Sequence, residues 1–518
     1  MTDWIGYRWL AGACTIDAVQ RFRIESAISS RRTTRIADGY RTELYPPSYR
    51  PADTAADHLA FALRYEGIHL EFLHRLFQKL DRTELEAWIA HEPTGQYARR
   101  ACFLYEWLTG IRIEFAGVTS GNYVDAIDHD RYVSAVAPTR NQRWRVNDNL
   151  PGIPAYCPTV LRTPSVKAAE TYDAAAKLLE LETEFGADLL RRSAVWLTVK
   201  ESRASFAIEH EEREVNRVQR FAAAIETLTG VFENPLATSA LSELQRQILG
   251  ERATRYGVRR SPVFVGERVG VGQVVHYIAP HWDDAPGLLE GLRRFEQLTR
   301  GRSPLMRAAV MSFGFVYVHP MADGNGRISR FLVNDTLRRD GAIPPPFILP
   351  VSATIIGSIA NRLDYDRVLA VFSKPLMQRY QGAYRFAVPQ TAADEVLHDI
   401  EFDAYPDALS AWRYPDFTDH VEYLSGIVRN TIEVEMRKEA AFLRSHRRAR
   451  DAVKEIIEGP DADIDRIIRS VTSNNWTVSG KLAAAFPALA EPAIAGAAVV
   501  AVRNAFAPAD GLPTRKTS

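Results

Sequence analysis

Cysteine is scarce: Cys14, Cys102 and Cys157 are the only three in 518 residues, far apart and without a CxxC pair. No disulfide framework is implied, and three such cysteines read as buried small apolar residues suited to a reducing compartment. Neither sign of charge is in excess, Lys+Arg and Asp+Glu numbering 64 each, so no global field steers the chain toward nucleic acid or anionic lipid. Long apolar runs are missing too. The most membrane-like stretch, AIAGAAVVAV (Ala493 to Val502), is about half of a spanning helix and lies between Pro492 and Arg503. The first residues, MTDWIGYRWL, have no basic region ahead of an apolar core, so no secretory signal is expected. No internal repeat or low-complexity tract is evident, and Gly480-Lys481 lacks the earlier glycine of a P-loop. A cytoplasmic protein with no membrane partner is the expectation.

What is present is ordinary globular material, 46% apolar and 25% charged, in a chain long enough for two or three domains. The pattern predicts a mainly α protein in three parts. Residues 1–165 read as an N-terminal helical domain, with apolar periodicity over Ala55 to Leu80 and Tyr97 to Leu108. The polar, Pro- and Tyr-rich SSRRTTRIADGYRTELYPPSYRP reads there as a long loop. Residues 166–390 form the second part: long helices, then VFVGERVGVGQVVHYI, which alternates around Gly266, Gly270 and Gly272 as a β-hairpin would. SPLMRAAVMSFGFVYV follows, with Ser303 as N-cap, Pro304 at the first helical position, and apolar residues nearly all round, the pattern of a buried helix. Residues 391–518 read as a C-terminal helical domain. Its SVTSNNWTVSGKLAAAFPALAEPAIAGAAVVAVRNAF could be a degenerate helix-turn-helix and RSHRRAR (Arg444 to Arg450) could touch phosphates, although a helical packing or dimerisation module with a solvated basic face accounts for both.

Directly after the buried helix comes HPMADGNGRISR, His319 to Arg330. Gly324 and Gly326 allow close backbone approach to a ligand. The N–H groups of Asn325, Gly326 and Arg327 then open a helix, where unpaired donors and the dipole favour phosphate. Arg327 and Arg330, three apart, share a helix face and can grip successive phosphates. Asp323 would repel those phosphates unless a hard cation lay between, which points to Mg²⁺. His319 is the group suited to taking a proton from an incoming hydroxyl near pH 7. The chemistry read from these residues is transfer from a Mg-nucleotide to a hydroxyl.

The run resembles the signature of the Fic family, H-x-F-x-[D/E]-G-N-G-R-x-x-R, with Met321 in place of the Phe. The resemblance implies a helical core carrying a small β-hairpin flap, and transfer of AMP from ATP to a Ser, Thr or Tyr hydroxyl of a target protein. It assigns His319 as general base, Asp323 as the Mg²⁺ ligand, Gly324, Asn325, Gly326 and Arg327 to the α- and β-phosphates, and Arg330 to the γ-phosphate. Val258 to Pro280 resembles the flap that aligns the protein substrate by strand addition. IANRLDYDRVL resembles the element near the adenine, with Asn361 and Tyr365 in register and Asp366 where a second Tyr stands. ESRASFAIEHE resembles the family's inhibitory helix, with Ser205 and Glu209 in register and His210 in the last place; that Glu pairs with the second Arg of the motif. TRIADG, through Asp38, is a poorer second candidate for the inhibitory carboxylate.

Alternatives remain at this point. The same fold could transfer UMP or phosphate, or the chain could be a regulator that binds nucleotide and nucleic acid without turnover. Self-modification and a homodimer are both compatible with the pattern.

Overall fold

The computed structural model describes residues 2–209, 215–250, 256–269 and 272–507. Helices dominate, and the described chain divides into two compact units where the sequence suggested three consecutive parts. The first comprises Met1–Asp173, Val199–Pro345 and Pro350–Val428; the second comprises Ala174–Thr198, Pro346–Leu349 and Arg429–Ser518.

The N-terminal stretch expected as a loop is folded. Strands β1 (Trp4–Ile5), β2 (Ile24–Ile28), β3 (Thr33–Ala37) and β4 (Tyr40–Tyr45) form one sheet in the order β1-β2-β4-β3. β3 and β4 pair antiparallel across Asp38-Gly39, and both turn residues have positive φ (51° and 78°). A two-residue Asp-Gly link matches the right-handed twist of flanking strands, so the hairpin signal was present but masked by polar and Pro-rich surroundings. Asp38 therefore sits in a surface turn. Beside the sheet, α1 (Leu70–Lys79) and α2 (Gln96–Thr109) bury Phe72, Leu73, Leu76, Cys102 and Leu104 in a common core.

Within the first unit, the helices that carry the motif are built as their sequences dictate. α3 (Ala187–Ile208), of which the residues from Val199 belong here, is followed by α4 (Val215–Leu228) and α5 (Thr238–Leu249). The expected hairpin is β5 (Phe264–Val269) with β6 (Gly272–Ile278), antiparallel, with a register shift between Val265 and Gly266. Gly266 is required there, because a Cβ would stand 2.3 Å from the Val274 carbonyl oxygen. α6 (Ala285–Leu298) leads to α7 (Pro304–Val318), which Ser303 caps by accepting the Met306 N–H at 3.3 Å. α7 is buried nearly all round, as its composition predicts.

α8 (Asn325–Arg339) packs against α7, and buried ion pairs fix their register. Fully buried Arg307 reaches Glu296 at 2.8 Å and Asp340 at 2.6 Å, while Arg339 reaches Glu296 at 3.0 Å and Asp335 at 2.8 Å. Removing one member would strand a charge in the interior, which is strongly destabilising. α9 (Val351–Ile356) and α10 (Ile359–Arg379) follow. Then comes a second hairpin, β7 (Tyr384–Thr391) with β8 (Leu397–Phe402), in a stretch read as helical from about Ala392. Only Ile400 and Phe402, buried on one face with Glu401 between them, carry a strand's alternation there, too short a run to mark the strand in the sequence.

In the second unit, α11 (Arg437–Lys454), α12 (Asp461–Ser473), α13 (Gly480–Ala485) and α14 (Pro492–Phe506) surround a core containing Val453, Ile464, Ile468, Leu482 and Val502. α12 and α13 are joined by a turn in which Asn475 and Trp476 have positive φ. α13 has only six residues. Among the described residues no helix is long and apolar enough to cross a membrane.

Candidate active site

The turn between α7 and α8 is stiffened by bonds that use its small and amide residues. His319 is the C-cap of α7, in the left-handed region at φ 47°, and Gly324 is the N-cap of α8 at φ 90°. Asn325 clamps the loop between them. Its Oδ1 accepts the Met321 N–H at 2.9 Å and its Nδ2 donates to the Met321 carbonyl at 2.7 Å. Met321 itself is fully buried beneath the loop and forms an isolated β-bridge with Val258 at the base of the hairpin.

The His319 ring is oriented by one contact. Its Nδ1 lies 3.0 Å from the Val316 carbonyl. A carbonyl only accepts, so Nδ1 carries the hydrogen and Nε2 keeps the lone pair of the neutral ring. Burial pushes the imidazole down to about 4, and the Arg259 charge acts in the same direction. The ring is thus neutral at physiological pH.

Two side chains absent from the sequence reading hold this turn from outside. Buried Arg259 donates to the carbonyls of His319 (2.8 Å), Ser261 (2.8 Å) and Pro280 (2.6 Å), tying the loop to both ends of the hairpin. Gln245 of α5 donates to the Asp323 carbonyl at 2.9 Å and accepts the Gly257 N–H at 2.8 Å. A fully buried glutamine among Leu241, Leu244 and Ile248 is the signal that could have revealed it.

Cations and carboxylates meet on the first turns of α8. Arg330 Nε donates to Ser205 Oγ at 2.6 Å, and Nη2 donates to the Ser205 carbonyl at 3.0 Å and to Glu209 Oε1 at 2.6 Å. Burial opposes the guanidinium's charge, yet Glu209 beside it raises Arg330 above the ordinary arginine range. Glu209 does more than its sequence register predicts. Its other oxygen is 2.8 Å from Arg327 Nε, so one carboxylate bridges both arginines of the motif. Gly326 makes room for it, since a Cβ there would lie 2.3 Å from Glu209 Oε1. Arg327 also stacks over Phe206, 4.9 Å from the ring centroid, and pairs with Asp323 Oδ1 at 3.1 Å. His210 lies outside the described residues.

These groups line one cavity of about 500 Å³. The hairpin contributes Val263, Phe264, Val265, His276 and Tyr277, and α10 contributes Arg362, Tyr365, Asp366, Leu369 and Ser373 on one helix face. Asn361 is not on the wall; its Nδ2 donates to the Thr354 carbonyl at 2.8 Å. His319, Asp323, Gly324, Asn325, Gly326, Arg327, Arg330, Tyr365 and Glu209 all are. The Asp323 side chain is 62% exposed toward this space. Its Oδ1 is taken by Arg327 and the Gly324 N–H, and among the described residues no bond reaches Oδ2. No cluster of three or more metal-ligating side chains occurs among the described residues. One carboxylate with an oxygen unbonded among the described residues, in a cavity that Arg327, Arg330 and the N-terminus of α8 also line, suits Mg²⁺, which takes few protein ligands and completes its shell with phosphate and water.

The segment containing this loop matches a known family: residues 235–337 correspond to the Fic/DOC family. Over 208 residues the chain is 27% identical to "Protein adenylyltransferase fic-1" of Caenorhabditis elegans, covering 38% of this chain and 38% of that protein. Over 116 residues it is 36% identical to "Protein adenylyltransferase Fic" of Drosophila willistoni, covering 21% of this chain and 20% of that protein. The chain thus spans little more than a third of the first relative's length and a fifth of the second's. A solved Fic family protein from Desulfovibrio desulfuricans G20 aligns with 62% of this chain and 92% of its own at 18% identity and a TM-score of 0.36. The hairpin β5–β6 and the loop carrying His319 both fall inside the matched segment, whereas Glu209 and α10 lie on either side of it.

Proposed function

We propose that this chain is a protein adenylyltransferase that moves AMP from Mg-ATP to a Ser, Thr or Tyr hydroxyl of a target protein, and that Glu209 restrains it. The observation that carries the reading is the shared wall of one cavity. A neutral His319 with its Nε2 lone pair available stands beside the open N-terminus of α8 and beside Arg330. The N–H groups at the start of α8 and the Arg327 guanidinium take the α- and β-phosphates, and Arg330 takes the γ-phosphate. Asp323 would hold Mg²⁺, which supplies further positive charge at the phosphates. Tyr365, with Arg362 and Asp366 beside it, lines the part of the cavity left for the nucleoside.

His319 Nε2 takes the proton of the incoming hydroxyl as its oxygen bonds to the α-phosphorus. The bond from that phosphorus to the bridging oxygen breaks, and pyrophosphate leaves. The target segment lies along the flap: β5 and β6 pair only with each other among the described residues, and Val265 and Val274 are exposed, so an extended chain can add to an open edge. In the resting protein Glu209 occupies both guanidinium groups that the phosphates need. Three free cysteines accord with a cytoplasmic setting.

The test is His319→Ala made in a Glu209→Gly background. Transfer falls by about 10² to 10⁴ with Mg-ATP affinity unchanged, because the base acts on the hydroxyl and not on the nucleotide. Undiminished transfer, or a loss accounted for by weaker ATP binding, removes His319 from the role.

A further inference from the structure

We infer that Glu201 is a second anchor of this restraint, a positioning residue that seats the last turns of α3 so that Glu209 reaches Arg330. The inference rests on the proposal above that Glu209 is the brake.

Glu201, Ser205 and Glu209 follow at intervals of four, so they project from one stripe of the segment that begins at Val199. Two of the three bind Arg330. The third does not. Glu201 is 1% exposed and makes no direct ion pair among the described residues, although the Arg330 charge acts on it from nearby. Its carboxylate instead accepts the Ser352 N–H at 2.7 Å and the Ser352 hydroxyl at 2.5 Å, at the start of α9. Burial pushes this carboxyl up to about 7, against the two Ser352 bonds, the Arg330 charge and the Ala353 N–H, which all favour its charged form.

The same α9–α10 stretch grips the segment again two turns later. Arg362 Nη2 donates to the carbonyl of Ile208, the last residue of α3, at 3.0 Å. A cation at a helix C-terminus satisfies an orphan carbonyl and complements the dipole. On the opposite side Ser202 Oγ donates to the Val218 carbonyl of α4 at 2.6 Å. Glu201 therefore fixes both the rotation and the height of the stripe from which Ser205 and Glu209 reach the motif. A helix residue with no task beyond packing would not bury a carboxylate at this position, and an apolar side chain would leave the Ser352 N–H without its acceptor.

The experiment compares the full chain as wild type, Glu201→Ala, Glu201→Gln, Glu209→Gly and the Glu201→Ala/Glu209→Gly double variant. Hydrogen exchange over residues 199–209 and Mg-ATP affinity by calorimetry are read independently of transfer. Adenylyl incorporation is read alongside. Glu201→Ala should raise exchange by about tenfold or more and tighten Mg-ATP binding toward the Glu209→Gly value. Glu201→Gln restores wild-type behaviour, since its oxygen can accept the Ser352 N–H and its amide can donate to the hydroxyl. In the Glu209→Gly background the Ala substitution changes neither affinity nor incorporation, because there is no brake left to seat. Should Glu201→Ala not fold, Ser352→Ala removes one of the two bonds from the other side and shifts exchange and affinity in the same direction. Unchanged exchange and affinity in Glu201→Ala overturn the inference, as does an equal loss of affinity in both backgrounds. If exchange and affinity shift as described while Glu209→Gly transfers nothing, the anchor stands and the proposed function fails.

Discussion

Replacing Glu209 by Gly removes one carboxylate and frees two cations. In the resting structure its oxygens lie 2.6 Å from Arg330 and 2.8 Å from Arg327. Arg327 keeps Asp323 as a partner at 3.1 Å, so the larger change falls on Arg330, which is 5% exposed and, among the described residues, keeps the two Ser205 oxygens as acceptors and the Glu201 charge nearby. A charge-assisted contact contributes about 1.5–3 kcal/mol, and the lower end alone is a factor of about ten in a binding constant. Mg-ATP affinity measured by calorimetry should therefore rise at least about tenfold in Glu209→Gly, with the γ-phosphate taking the carboxylate's place. The same substitution strands a buried guanidinium, so the nucleotide-free variant should unfold at lower urea than wild type and regain stability when ATP is added. In the Glu209→Gly/Arg330→Ala double variant the gain in affinity should vanish. Wild-type affinity in the single variant, or a gain that survives in the double, refutes the competition between carboxylate and phosphate.

Three further outcomes follow from the same geometry. His319 is depressed from 6.5 to about 4, so its neutral form is favoured in the folded state, and the stability it contributes is present above 6.5 and lost as pH falls toward 4. Transfer by Glu209→Gly should accordingly stay level from about pH 8 to about pH 5, and half-loss near 6.5 contradicts a half-buried, neutral base. Asp323→Ala should weaken Mg-ATP binding in a way that raised Mg²⁺ partly restores; a titration indifferent to Mg²⁺ takes Asp323 out of the ligand set. Asn325→Ala deletes two bonds that hold Met321 and should lower unfolding stability by about 1–3 kcal/mol while abolishing transfer, and an unchanged urea midpoint contradicts the clamp.

The parts legible in the sequence are those specified locally. Ser303-Pro304 starts a helix buried all round, and the glycine-punctuated alternation around Gly266 forms a hairpin. The His319 to Arg330 run forms a turn and a helix N-terminus. The resemblance of ESRASFAIEHE to the family's inhibitory helix sets Glu209 opposite Arg330, and the structure brings the two together across 121 residues of chain. What stayed hidden depends on partners distant in sequence. Arg259, Gln245 and Glu201 look like ordinary polar residues until burial shows what each one holds. The bridging of Arg327 by the same carboxylate needs the three-dimensional position of Gly326. The β3–β4 and β7–β8 hairpins are hidden for a different reason: polar, Pro-rich surroundings mask a two-residue turn in one case, and in the other the alternation is confined to Ile400 and Phe402.

Intact-mass analysis of purified Glu209→Gly protein incubated with Mg-ATP bears most directly on the claim that this cavity transfers AMP to a hydroxyl. Self-modification reports the donor and the transferred group together. The expected result is a gain of one or more adenylyl groups, absent when His319 is also replaced by Ala. No gain in mass, or a gain corresponding to a phosphoryl group alone, contradicts it.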